Sequence, residues 1–111
     1  MQMNTLTLKK YGNEYPMTFQ TNHYCENGNL YVGLISHAEG FPEPWSNLTV
    51  NLSKKCKENC AFIDVNNNGT EIIPWLIENG LGNLTHRVEC SGFAIYPEFE
   101  FNMERLMEFV D

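Results

Sequence analysis

Four short stretches carry residue types and spacings with chemical potential. The run Asp64-Val65-Asn66-Asn67-Asn68-Gly69 fits the first half of the calcium-loop pattern D-x-[DN]-x-[DN]-G. Such a loop needs a bidentate glutamate at its twelfth position, and counting from Asp64 that position is Trp75. Glu71 and Glu78 do not have the spacing to replace it. The apolar, β-branched stretch "CAFIDV" ahead of the loop reads as a buried strand, where an EF-hand requires a helix. The asparagines and Gly69 are therefore expected to supply a turn tolerant of positive φ.

Cys56-Lys57-Glu58-Asn59-Cys60 has a spacing that some zinc sites use, but the chain contains no second C-x₂₋₄-C or H-x₃₋₅-H pair to complete a tetrahedral set. Cys25, Cys56, Cys60 and Cys90 are expected as reduced thiols behaving as small hydrophobes. His23, His37 and His86 are scattered, and no nucleophile elbow or nucleotide-binding glycine motif occurs. If the chain were an enzyme, His86 with Cys90 or Glu89 would be the cluster to examine. Gly80-Leu81-Gly82-Asn83 is glycine-rich but follows a helical pattern, whereas a phosphate loop leads into one. No catalytic residue, metal or cofactor is expected.

Charge is more informative than these motifs. Residues 1 to 60 hold five acids and five bases, while residues 61 to 111 hold nine acids against Arg87 and Arg105, so the whole net charge of −7 lies in the second half. That balance disfavours direct binding to nucleic-acid phosphates or anionic membranes. Aromatics such as Trp45, Trp75 and Tyr96 are accordingly assigned to packing, because base-stacking platforms work beside a positive groove. No apolar run reaches the ~20 residues of a membrane span. The N-terminal stretch lacks the apolar segment of a signal peptide, so a cytoplasmic location is expected, where four Asn-x-Ser/Thr sequons have no glycosylation role.

The elements that must position these residues follow from periodicity. Thr5–Leu8, Met17–Gln20 and Asn47–Leu52 alternate polar and apolar residues as half-buried strands do, and Leu30–Ile35 is apolar enough for a mid-sheet strand. A short helix fits "PWLIENG", with Pro74 at its first position and Gly80 as its left-handed stop. Phe93–Phe101 resumes strand alternation, with Pro97 expected to restrict it to an edge or a break. Asn102 can cap a final helix through Met103, Leu106, Met107 and Val110. The expected fold is α+β: one domain over residues 1–111, a mostly antiparallel sheet with two short helices, the second C-terminal. Its sheet is expected to bury Leu6, Leu8, Phe19, Val32, Leu34, Leu48, Val50, Leu52, Phe62, Phe99 and Phe101. Residues two apart share a strand face, so Glu98 and Glu100 should point outward. Glu104 and Glu108 should share a helix face, with Asp111 extending one acidic surface.

The segments "FPEPWSNLTVNL", "ENCAFIDVNNN", "PW…ENGLG" and "SGF…YPEFEF", in that order, resemble an uncharacterised family of small acidic proteins carried on conjugative plasmids and integrative elements of Gram-positive bacteria. The stretch Thr70–Ile73 looks like an insertion relative to that pattern. The resemblance implies a mobile-element setting, in which inhibitors of host restriction and CRISPR systems occur. The function expected on these grounds is a non-enzymatic inhibitor engaging a basic, nucleic-acid-binding protein through Glu98, Glu100, Glu104, Glu108 and Asp111. A regulatory or adaptor protein of a conjugative element is the alternative. Oligomeric state is left open.

Overall fold

A computed structural model describes residues 4–110. Eight strands form two antiparallel sheets of four. Sheet 1 is a meander of β1 (Leu6–Lys10), β2 (Asn13–His23), β3 (Leu30–Ser36) and β4 (Glu43–Asn47), in that spatial order. The β1–β2 turn places Tyr11 and Gly12 at φ 55° and 77°, the double left-handed geometry whose twist suits a tight hairpin. Sheet 2 contains β5 (Thr49–Val50), β6 (Cys60–Ile63), β7 (Gly82–Ser91) and β8 (Ala94–Phe101) in the order β5-β6-β8-β7. Among the described residues there are three short helices, α1 (Val65–Asn68), α2 (Ile72–Glu78) and α3 (Met103–Met107).

One apolar core draws Leu6, Leu8, Met17, Phe19, Val32 and Leu34 from sheet 1, Ile63, Phe99 and Phe101 from sheet 2, and Leu76 and Leu106 from the helices. Phe19 donates its backbone N–H to Phe109 and bridges to Val110, so the end of the chain closes over β2. A second, smaller cluster of Cys56, Cys60 and Phe62, flanked by Val50, Leu52 and Tyr96, lies on the opposite face of sheet 2.

The two sheets meet where the chain passes from β4 to β5. Leu48 donates its N–H to Val32 O at 2.9 Å and accepts one from Asp64 N at 2.9 Å. Beside it, Thr49 Oγ1 accepts the N–H of Val32 at 3.1 Å and lies 3.0 Å from the Tyr24 hydroxyl. A side chain and a single peptide thus stand in for a missing strand neighbour.

The expectation of a single sheet with two helices is corrected: the fold is mostly antiparallel β, in two sheets, with three short helices. Asn47–Leu52 is not one strand, because its alternating pattern spans the crossing between sheets. Thr49, expected outside, is only 2% exposed because its hydroxyl serves Val32. Val50 and Leu52 are half-buried against the second cluster. The asparagine turn is helical, with Asp64 capping α1 through Asn67 N, and Gly69 ending it at φ 84°. Helix α2 starts two residues before Pro74 and closes in a Schellman pattern, Gly80 N to Ile77 O and Leu81 N to Leu76 O, both at 3.0 Å. Pro97 sits in the central strand β8, opposite Val88, just past the last β6–β8 pair at Glu98, where no ladder donor is required of it. Strand β7, polar along most of its length, has no counterpart among the expected elements.

Replacing Thr49 with valine keeps the shape and leaves the buried Val32 N–H without its acceptor. A loss of about 1–3 kcal/mol in urea unfolding is expected, with Thr49→Ser retaining most of the stability.

Candidate functional site

The outer face of sheet 2 holds the molecule's most enclosed charge. Between Leu84↔Phe99 and Val88↔Pro97 the β7–β8 register shifts, so Thr85, His86 and Arg87 lie opposite Glu98 alone. His86 takes the strain at φ 73°. This irregularity aims two donors at one carboxylate: Thr85 Oγ1 donates to Glu98 Oε1 at 2.6 Å, and Arg87 Nη1 donates to Oε2 at 3.1 Å. Arg87 also reaches Glu89 at 3.5 Å and the carbonyl of Lys55 at 3.4 Å, with its guanidinium 5.3 Å from the centre of the Phe62 ring. An adjoining cavity of about 410 Å³ is lined by Lys57, Cys60, Thr85, Arg87, Glu98 and Glu100.

Glu98 is 5% exposed, which corrects the expectation that it points to solvent with Glu100. Period two holds from Glu98 to Phe101, but it marks sides of the sheet, and here the side opposite the core is itself covered by the second cluster. Burial pushes the Cys56 thiol up to about 12, with a hydrogen bond to the Glu98 carboxylate and that carboxylate's charge acting in the same direction. Cys60 is raised as well, chiefly by burial. Neither thiol is a nucleophile at neutral pH, since the thiolate is the reactive form.

The remaining acids form a separate group. Glu104 and Glu108 are exposed on α3, and Arg105 between them bonds Glu108 Oε1 at 3.1 Å and the carbonyl of Asn79, at the end of α2, at 3.0 Å. That contact brings Glu78, which sequence spacing does not associate with α3, to the same end of the molecule. Among the described residues Glu78, Glu100 and Glu104 have no ion pair. The single expected acidic surface is therefore two regions: Glu98 and Glu100 beside Lys57 and Arg87, and Glu104 and Glu108 beside Glu78. Asp111 lies outside the described residues.

His86 and Cys90 are both exposed and four residues apart on a strand, a separation of about 13 Å that is too long for a nucleophile and its base. Asp64 is occupied by Asn67, and Asn68 donates to the carbonyls of Asn47 and Asp64 while accepting from Ser46 at 2.6 Å. The Asp64 carboxylate thus caps α1, and the Asn68 side chain holds α1 to β4. Among the described residues no group of three His, Cys, Asp or Glu is placed to hold a metal ion, and no helix is long and apolar enough to cross a membrane. Thr85 and Arg87 were not legible as site residues, because only the bulge sets them against Glu98.

A family model described as a domain of unknown function (DUF4313) matches residues 18–111, and the chain belongs to that family. No curated protein and no solved structure matches it.

Cys25 and Cys90 are exposed, whereas Cys56 and Cys60 are buried. Mass-spectrometric mapping after brief alkylation of the native protein is expected to find the first two modified and the last two protected until denaturant is added. Because the folded thiol of Cys56 titrates above its ordinary value of 9.0, its contribution to stability is complete below that pH. It is lost as pH rises from 9.0 through about 12, which pH-dependent unfolding will register.

Proposed function

We propose that the protein acts by binding, presenting the acidic end formed by α2 and α3 to a basic, nucleic-acid-handling protein. The observation that carries this reading is the gathering of Glu78, Glu104 and Glu108 at adjoining helix ends around Arg105, where one guanidinium neutralises only part of their charge. A net charge of −7 adds to the attraction for a positive partner and opposes direct contact with phosphates. The buried charged group with the most enclosed setting, Glu98, is engaged by Arg87 and Thr85, which favours binding over catalysis.

The finer reading is an inhibitor of a host restriction or CRISPR system, carried on a conjugative or integrative element. It draws support from the resemblance of the four sequence segments to proteins of such elements. On this reading the acidic end occupies part of the channel that holds DNA or guide RNA. An adaptor of the conjugative machinery would use the same surface and leave its partner's nucleic acid in place.

The test is titration into a candidate nuclease holding labelled DNA, at low and at physiological salt. Displacement is expected at low salt, with a steep loss of affinity as the Debye length contracts to about 8 Å. Glu78→Lys with Glu104→Lys is expected to weaken binding by about tenfold or more, since both charges then oppose the partner. Affinity insensitive to salt and to both reversals overturns the acidic-end reading; binding that leaves the DNA in place selects the adaptor.

A further inference from the structure

The hairpin of β7 and β8 extends past the core. Leu84, Phe99 and Phe101 pack into the core from one side of sheet 2. Two-residue steps along β8 carry that same side outward through Pro97 to Ile95, whose partners on β7 are Val88 and Cys90. Val88 is 55% exposed and Ile95 58%, and Phe93 at the hairpin tip stands free at 109%. A core-type sheet face therefore continues onto an arm that nothing among the described residues covers.

Strand β7 is also the rim of sheet 2 and ten residues long. The other rims are blunted. Strand β1 carries Lys9 and Lys10, and its Thr7 carbonyl already accepts from Trp75 Nε1 at 2.9 Å. Strand β4 contains Pro44, and β5 has two residues. An unguarded rim of backbone donors and acceptors is a template for another strand.

We propose that β7 pairs antiparallel with β7 of a second copy of this chain, about a two-fold axis at Val88. The argument is charge complementarity within Arg87-Val88-Glu89. Centring the axis on Val88 sets each Arg87 across from the other copy's Glu89 and stacks Val88 on Val88. Centring it on either neighbour sets Arg87 against Arg87 or Glu89 against Glu89, a repulsive juxtaposition. Of the three registers centred within this triplet, only the one at Val88 opposes unlike charges. The bulge at His86 bends β7 just before this triplet. Antiparallel pairing carries each arm alongside the Gly82–Thr85 half of the other strand. Helix α2 packs against β7 there, with Ile77 41% exposed. Val88 meets its copy at the axis, and two four-stranded sheets become one of eight.

Sedimentation of the full chain across a dilution series is expected to show a monomer–dimer equilibrium. Glu89→Lys removes the 3.5 Å contact to Arg87 within its own chain but leaves the Arg87–Glu98 pair in place, and symmetry applies the substitution twice, so dimer affinity is expected to fall about tenfold or more with the circular dichroism spectrum unchanged. In a Cys25→Ser, Cys90→Ser background, Val88→Cys is expected to form an intersubunit disulfide on mild oxidation. Ile95→Cys is not, because three strand spacings of about 4.8 Å separate it from its copy. A monomer at all concentrations overturns the proposal, as does a dimer insensitive to Glu89→Lys. Crosslinking at Ile95 in place of Val88 overturns it in favour of face-to-face packing.

Discussion

Both peptide groups of Val32 depend on two residues, Leu48 and Thr49, and so does the relation between the sheets. The N–H of Val32 finds Thr49 Oγ1, its carbonyl finds Leu48 N, and Leu48 O reaches on to Asp64 at the end of β6. A buried amide without a partner costs more than an average hydrogen bond returns, so this junction admits few alternatives. It fixes where β5 and β6 start relative to β3, and with them which side of sheet 2 faces the shared core. The other side is left to the second cluster and to Glu98.

Enclosing the carboxylate of Glu98 is unfavourable unless charge and hydrogen-bonding capacity are both matched. The β7–β8 bulge supplies that match by turning Thr85 and Arg87 to the same side. Arg87 remains partly open to solvent, which moderates its own desolvation, while its guanidinium lies on Phe62 and steadies the cluster. Burial raises the neighbouring Cys56 thiol above its ordinary value, and the same carboxylate acts in the same direction. The charge of Glu98 is a structural fixture of the sheet's outer face, whereas Glu100 beside it and Glu78, Glu104 and Glu108 at the helices are exposed.

Local signals in the sequence read well where local physics decides. Asn102 caps α3, Gly80 closes α2, and Leu6, Leu8, Phe19, Val32, Leu34, Leu48, Phe62, Phe99 and Phe101 are buried. Period two, however, states only that alternate residues share a side, and says nothing of how many sheets there are or whether the far side is wet. That is why Thr49 and Glu98 are inside, and why Asn47–Leu52 reads as one strand although it belongs to two sheets. Strand β7 was hidden because a rim strand with a bulge has neither alternation nor apolar density to betray it. Glu78 joins the α3 acids only through Arg105 and the Asn79 carbonyl, a contact between residues 26 positions apart in sequence.

The order of strands also orders the steps of folding. Sheet 1 is a run of neighbouring hairpins complete by Asn47, with short loops to close and little entropy lost in closing them. Sheet 2 places β8 between β6 and β7, so β6 waits for a strand more than thirty positions further on. During synthesis the first meander emerges whole while half of its core is still unmade, its Met17, Phe19 and Leu34 lacking the far wall. Phe109, whose carbonyl takes the N–H of Phe19, is added long after β2. The nascent chain thus carries an open apolar face until α3 and Phe109 are added, which makes truncation at α3 a route to aggregation more than to a smaller folded protein.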